Sequence, residues 1–306
     1  MAKAFGFVEY GGTETQEHWE MDVPQPGAGE LLVKVKAAGV NPVDWKIREG
    51  RLREYMPLDL PAVLGREVSG VVEQVGQDVD GFAVGDEVFG NTAPGSGGYA
   101  EYALTTAAVT AKKPVHVSFL DAATLAVAAA TAYDGVQQLA LEAGQTLLIN
   151  GVGGGVGVAA AQIARDRGLN VIGTGSAGKR ALAESLGATL VEYGDGVADR
   201  VRQIMPDGVD GLLDVVGGQP LRDVADLVKD PSRLVSANDP ATAEQLGGAA
   251  LARDQSGATL PVVAQLVADG KLDPHVEDVV PLDRAGEALQ AVESGHARGK
   301  VVIEVA

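Results

Sequence analysis

One stretch constrains this 306-residue chain more than any other. Residues 147–164 read as an apolar strand that runs into a glycine cluster, Gly151-Val-Gly-Gly-Gly-Val-Gly157, and then into an alanine-rich helix. Leu147, Leu148 and Ile149 in a row suit a parallel strand buried on both faces. The glycines let the backbone turn tightly and approach a ligand closely, while the helix offers unpaired N–H groups and the positive end of its dipole. Together these favour a phosphate or diphosphate. A literal GxGxxG fits at no register, whereas Val152-x-Gly154-x-x-Gly157 fits in spacing, with valine at the first position. The strand before and the helix after are the context that a dinucleotide-binding turn requires, so Val152, Gly154, Gly155, Val156 and Gly157 are the candidate residues.

Strands and helices alternate around this turn. Strands are expected at 147–150, 169–173, 189–192, 209–215 and 233–237, with Asp121 as the N-cap of the first helix and Gly168 and Gly187 at helix C-caps. This pattern predicts an α/β fold with a doubly wound parallel sheet. Residues 1–118 differ. Runs such as 31–37 and 68–75 alternate partly, and Pro24, Pro26, Gly27, Gly76, Gly81 and Gly85 punctuate them, which predicts a small β domain. The stretch 281–306 holds a short helix and a strand, 300–305, expected to return to that domain. The expected division is therefore 1–118 completed by 272–306, with 119–271 as the nucleotide-binding domain. Residues 247–257 fit neither pattern and read as a surface insertion or a subunit contact.

A formal net charge of −18 argues against nucleic acid or an anionic membrane as partner, since either needs a basic patch. The acidity reads as a solubility feature. There are no cysteines, so disulfides and thiolate metal sites are excluded. The first ten residues lack the apolar run of a signal peptide, and a cytoplasmic protein is expected. Two uncharged stretches do not read as membrane spans. Residues 122–133 fall short of the ~20 that a span needs, and 147–164 are rich in glycine and carry Asn150 and Gln162.

In a sheet of this kind the second strand commonly ends in an acid that binds the adenosine ribose. Here the chain reads Gly173-Thr-Gly-Ser-Ala-Gly-Lys-Arg180, with no carboxylate to repel a 2′-phosphate. Ser176, Lys179 and Arg180 are candidates to bind one, each charge-assisted hydrogen bond contributing ~1.5–3 kcal/mol. NADPH is expected over NADH. A plainer reading of Lys179 and Arg180 is the solvated start of a helix, although basic residues there oppose the dipole.

At this point the residues carry a family resemblance over nearly the whole chain. The stretches are Ala38-Gly-Val-Asn-Pro-Val-Asp-Trp-Lys46, Leu64-Gly-Arg-Glu-Val-Ser-Gly-Val-Val-Glu-Gln-Val-Gly76, Val84-Gly-Asp-Glu-Val-Phe89, Gly98-Tyr-Ala-Glu-Tyr102, Thr131-Ala-Tyr133, the glycine turn, Leu186-Gly-Ala188, Asp214-Val-Val-Gly-Gly218 and Gly299-Lys-Val-Val302. In this order they resemble the medium-chain dehydrogenases/reductases, in the zinc-free branch of quinone oxidoreductases. The resemblance implies a GroES-like β domain packed on a Rossmann domain, with the cofactor between them, and homodimerisation as in many relatives. Where zinc-dependent relatives bind metal, the matching positions are Asn41, Arg66 and approximately Val127, which cannot do that work. A carboxylate site at Asp44 and Glu67 is a weak alternative, and His18, His116, His275 and His296 read as scattered surface or structural residues.

The Asp-x-Lys form of 44–46 resembles the 2-alkenal and enone reductases. That resemblance implies Lys46 beside the acceptor carbonyl, where a cation stabilises the developing enolate, and Asn41 bonded to the cofactor or to that lysine. A salt bridge from Lys46 to Asp44 is the plainer reading. Trp45, Tyr55, Phe89 and Tyr99 are candidates for a pocket wall or for core packing. Thr131 is implied near the nicotinamide, Tyr193 near the 2′-phosphate or adenine, and Lys300 near the cofactor phosphates. Asp214 reads as a loop organiser. The expected reaction is hydride transfer from NADPH to a quinone or an α,β-unsaturated carbonyl. Two rivals are an NADPH-binding redox sensor or structural protein with little turnover, and an alcohol dehydrogenase using another metal.

Overall fold

Hydrogen-bonded strands form three sheets in the computed structural model, which describes every residue except Gln255, His296 and Arg298. The first strands are β1 (Ala2–Phe7), β2 (Gln16–Met21), β3 (Glu30–Val40), β4 (Ala62–Val63), β5 (Glu67–Val75), β6 (Glu87–Thr92) and β7 (Tyr102–Lys112). Six more follow: β8 (Thr146–Asn150), β9 (Asn170–Gly175), β10 (Ala188–Glu192), β11 (Gly211–Asp214), β12 (Leu234–Ser236) and β13 (Ala249–Ala250). The chain closes with β14 (Val276–Pro281) and β15 (Lys300–Glu304).

One unit comprises Met1–Val127, Gln255–Ala268 and Val276–Ala306. It holds the small sheet β2-β1-β4 and the sheet β14-β15-β3-β5-β6-β7, in which β3 also pairs with β7. That extra pairing closes β3, β5, β6 and β7 on themselves, removing free edges as a barrel does. Strand β15 returns antiparallel to β3, Val301 opposite Val40 and Glu304 opposite Ala37. Phe7, Val35, Leu64, Tyr99 and Ile303 share its core. The boundary expected at 118 lies at Val127, because Ser69 Oγ donates to the Phe119 carbonyl at 2.6 Å and Ala123 packs with Ala37 and Val302. The helix Phe119–Ala122 is capped by Ser118, not Asp121: Ser118 Oγ accepts the Asp121 N–H at 3.0 Å. Asp121 sits three residues inside, where its carboxylate accepts from the same hydroxyl.

The second unit, Ala128–Asp254 with Asp269–His275, holds the sheet β10-β9-β8-β11-β12-β13, all of it parallel. This order reverses at β8, giving the topological switch point at which doubly wound sheets bind ligands. Every residue of β8 is buried, as its apolar run requires. Gly168 and Gly187 have φ of +78° and +81°, the left-handed conformation of a helix C-cap. Residues 247–257 correct the expectation of an insertion. Ala249 and Ala250 pair with β12 as an edge strand, and Gln138 binds the Ala250 carbonyl and the Ala252 N–H. Gln255 of this segment lies outside the described residues. Among the described residues no helix is long and apolar enough to cross a membrane.

Candidate active site

The glycine turn stands at the C-terminal end of β8, where the sheet order reverses. Gly151 has φ +99° and starts the turn. The helix Gly155–Asp166 has Gly154 as N-cap and no side-chain cap, so its first N–H groups face outward as donors. A Cβ on Gly157 would lie 2.2 Å from the Gly151 carbonyl oxygen, so only glycine lets the helix start pack against the turn. Val152 at the first motif position is fully buried, and the room for it comes from the next strand. A Cβ on Gly173 would meet Val152 Cβ at 2.4 Å. The irregular motif is thus a compensated pair, Val152 with Gly173. A glycine-bounded ring of helix N–H groups fits a dinucleotide diphosphate.

Strand ends around the turn are locked by side chains. Asn150 Nδ2 donates to Asp214 Oδ1 at 2.8 Å, Thr174 Oγ1 to Asn150 Oδ1 at 2.6 Å, and the Gly151 N–H to Thr174 Oγ1 at 3.1 Å. Asp214 also accepts the Val216 and Gly217 N–H groups and the Ser236 hydroxyl, which makes it the loop organiser expected.

The residues after β9 gather beside the turn. Lys179 Nζ donates to the Gly153 carbonyl at 2.9 Å, and its stem lies 2.6 Å from where a Gly153 Cβ would be. Tyr193 is exposed and its N–H donates to the Gly175 carbonyl, next to Ser176. Arg180 requires a correction. The expectation of a site free of carboxylates overlooked Glu192, which the β9–β10 register places opposite Gly175. Arg180 Nη2 binds Glu192 Oε1 at 3.0 Å and Nη1 lies 3.6 Å from Glu184. Its charge is largely spoken for, which leaves Lys179 and Ser176 as the better candidates. Thr131 lies in the helix Ala130–Leu139, where its hydroxyl accepts from Arg253, and Arg253 Nε binds Asp134 at 3.0 Å. Arg253 had no signal in the sequence, being 122 residues from Thr131.

The other unit holds a buried polar cluster. Asn41 precedes the helix Pro42–Arg48, and Asp44 Oδ2 reaches back to the Asn41 N–H at 2.8 Å. The Asn41 side chain is held within this cluster. Its Nδ2 donates to Glu67 Oε1 at 2.8 Å and its Oδ1 accepts from Lys300 Nζ at 2.6 Å. Lys300 Nζ also donates to Glu67 Oε1 at 2.9 Å and to the Val40 carbonyl at 3.2 Å. With three acceptors and almost no exposure, Lys300 has no donor left for a phosphate, which corrects its expected role. Glu67 Oε2 accepts the Val127 N–H at 2.7 Å. The positions of Asn41 and Val127 thus converge on Glu67, but an ammonium group takes the centre. That donor set does not fit zinc. Among the described residues no cluster of three or more His, Cys, Asp or Glu can hold a metal. His18 and His116 are exposed, His275 lies 3.7 Å from Asp273, and His296 is outside the described residues.

Two of the aromatic candidates turn inward. Phe89 is 0% exposed and has no face to offer, and Tyr99 is equally buried, its hydroxyl donating to Asp44 Oδ2 at 2.8 Å. Tyr55 is 83% exposed. Trp45 is partly buried, with Arg51 over its ring at 4.7 Å and Lys46 Nζ at 5.6 Å. Burial lowers the Lys46 pKa, with Arg51 adding to the effect.

Burial also pushes Asp44 from its ordinary 3.8 up to about 6, against the opposing pull of Tyr99, the Asn41 N–H and Lys300. An acid whose folded pKa is raised stabilises the fold below its unfolded pKa and loses that contribution as pH rises through the folded value. The wild type should therefore lose on the order of 3 kcal/mol relative to Asp44→Asn between pH 4 and pH 7. Urea denaturation at both pH values measures it, and an unchanged difference would refute the assignment.

Two family models match: the alcohol dehydrogenase GroES-like domain over residues 27–115, and the zinc-binding dehydrogenase over 186–303. The chain is 32% identical to a tomato 2-methylene-furan-3-one reductase, across 98% of this chain and 78% of that protein. It superposes on the Coxiella burnetii quinone oxidoreductase with a TM-score of 0.90 at 29% identity, covering 100% of this chain and 99% of the other. A mycobacterial structure complexed with NADPH gives 0.86 at 29% identity, with 99% and 100% covered. With its glycine turn, its closed β unit and these relatives, the chain belongs to the medium-chain dehydrogenase/reductase superfamily, in the branch of quinone oxidoreductases and enone reductases.

Proposed function

We propose that this protein reduces quinones or α,β-unsaturated carbonyls with NADPH and without zinc. The observation that carries the reading is the uncapped helix start behind Val152-x-Gly154-x-x-Gly157, with Lys179 folded back on the Gly153 carbonyl. When bound, NADPH supplies the hydride that an electron-poor acceptor takes up. The N–H groups of Gly155, Val156 and Gly157 bind the diphosphate, and Ser176, Lys179 and Tyr193 meet the 2′-phosphate end. Arg180 assists less because Glu192 holds it. Asn41 and Lys300 do not touch the reacting atoms and act as positioning residues around Glu67. The ammonium of Lys300 at the centre of that cluster supports a reaction that needs no metal at this place. A net charge of −18 supports action in solution, with neither nucleic acid nor an anionic membrane as partner.

Lys46 stabilises the oxyanion that forms on the acceptor. Its partial desolvation supports this role, since a cation away from bulk water acts on developing charge with less screening. In a panel of quinones, 2-alkenals and enones, NADPH oxidation is expected, with NADH a poorer donor. Lys46→Met should lower kcat/KM for enones about 100-fold, the scale of losing one oxyanion donor. Full retention of kcat/KM, with NADPH affinity also unchanged, would remove Lys46 from the mechanism.

A further inference from the structure

An acid stands at the strand end where the adenosine half of a dinucleotide binds. In a doubly wound sheet the ribose lies beyond the carboxyl end of the second strand, which is β9 here. Glu192 ends β10 in register with Gly175, the last residue of β9. The next peptide closes on the same place, with the Tyr193 N–H donating to the Gly175 carbonyl at 3.1 Å. Ser176 follows Gly175, and Lys179 Nζ reaches the Gly153 carbonyl of the glycine turn at 2.9 Å. Glu192 thus shares one strand end with the candidates for the 2′-phosphate.

Arg200 fixes the main chain at this point. Its Nε and Nη2 donate to the Glu192 carbonyl at 3.1 and 2.7 Å, and its Nη1 to the Asp195 carbonyl at 2.7 Å. The guanidinium is thereby spent on carbonyls, and the Glu192 carboxylate takes Arg180 instead. Arg180 Nη2 lies 3.0 Å from Glu192 Oε1, and its Nη1 donates to the Leu190 carbonyl at 3.2 Å. Both side chains are about half exposed, 44% and 50%, so the pair adds little to stability. Its consequence lies in what it withholds. A 2′-phosphate dianion is a stronger partner for a guanidinium than a carboxylate is, yet it can engage Arg180 only by displacing Glu192. A ribose 2′-hydroxyl needs no such exchange. We propose that Glu192 is a specificity-determining residue for the cofactor: by holding Arg180, it limits how strongly this chain prefers NADPH over NADH. The inference rests on the NADPH reading above.

Calorimetric titration of NADPH and of NADH into the wild type, Glu192→Gln, Arg180→Gln and the double variant tests it. Glu192→Gln should raise the NADPH-to-NADH affinity ratio about 5-fold, the upper scale of an exposed ion pair. The gain should be lost when Arg180→Gln is added. Titration with 2′,5′-ADP and 5′-AMP should show the same change, which ties it to the 2′-phosphate. A gain in affinity also separates this role from damage to the fold, and Glu192→Gln should melt close to the wild type. An unchanged ratio in Glu192→Gln overturns the inference and leaves the NADPH reading standing. So does a lower ratio, which would make Glu192 the residue that presents Arg180 to the phosphate. A gain that persists undiminished in the double variant overturns it too, because Arg180 would then have no part in it. If neither the wild type nor Glu192→Gln binds NADPH or 2′,5′-ADP, the NADPH reading fails and this inference fails with it.

Discussion

Lys300→Met is expected to destabilise the β unit by about 3–5 kcal/mol, the cost of leaving a buried charge without its partner. Lys300 Nζ has acceptors at 2.9 Å on Glu67, 2.6 Å on Asn41 and 3.2 Å on Val40, and Glu67 has no exposed surface. After the substitution Glu67 keeps only the Asn41 amide and the Val127 N–H, both neutral. The double variant Lys300→Met with Glu67→Gln removes both charges and should recover a large part of the loss, as coupled sites do. Both tryptophans, Trp19 and Trp45, belong to this unit, so fluorescence during urea unfolding reports on it selectively. A single variant that unfolds at the wild-type urea concentration, or a double variant no better than the single one, would show that the pair is not coupled as described.

This cluster also shows which features a sequence can and cannot disclose. The parallel sheet was legible because its strands contain short apolar runs, as at 147–149, and because glycines end the helices that precede two of them, at Gly168 and Gly187. Local rules govern such segments. The returning strand at 300–304 was legible for the same reason. What escaped were pairings beyond the reach of local rules: Lys300 with Glu67 across 233 positions, Arg253 with Thr131 across 122, and Glu192 at the end of β10 with Arg180 at the start of the preceding helix. No periodicity encodes these. The role expected for Lys300 went astray because a motif names a position but not the partners that use up its donors. The valine in the glycine motif was visible as an irregularity, yet its compensation at Gly173 is a property of two packed strands. Helix starts were legible only to within a few residues, since both Ser118 and Asp121 belong to the same cap and only geometry distinguishes them.

Gly157→Ala is expected to lower NADPH affinity about 100-fold or more and to cost stability as well. The added Cβ would lie 2.2 Å from the Gly151 carbonyl oxygen and 2.7 Å from Val152 Cα. All of its close neighbours are backbone, so no side chain can swing away and the helix start must move off the turn. Overpacking of this kind costs about 1–3 kcal/mol, and a displacement of ~1 Å in binding groups is enough for a hundredfold loss. Gly154→Ala separates the two effects. Gly154 has φ −95° and ψ 166°, ordinary for any residue, and the nearest atom to its added Cβ is the Gly151 oxygen at 3.9 Å. That variant should unfold like the wild type while binding NADPH weakly, because its methyl group occupies space that only a ligand close to the backbone would need. Calorimetric titration with NADPH and a thermal melt on each variant give the comparison. If Gly154→Ala bound NADPH normally, the diphosphate would not lie against this face of the turn. If Gly157→Ala melted and bound like the wild type, the close packing of helix on turn would have no part in shaping the site.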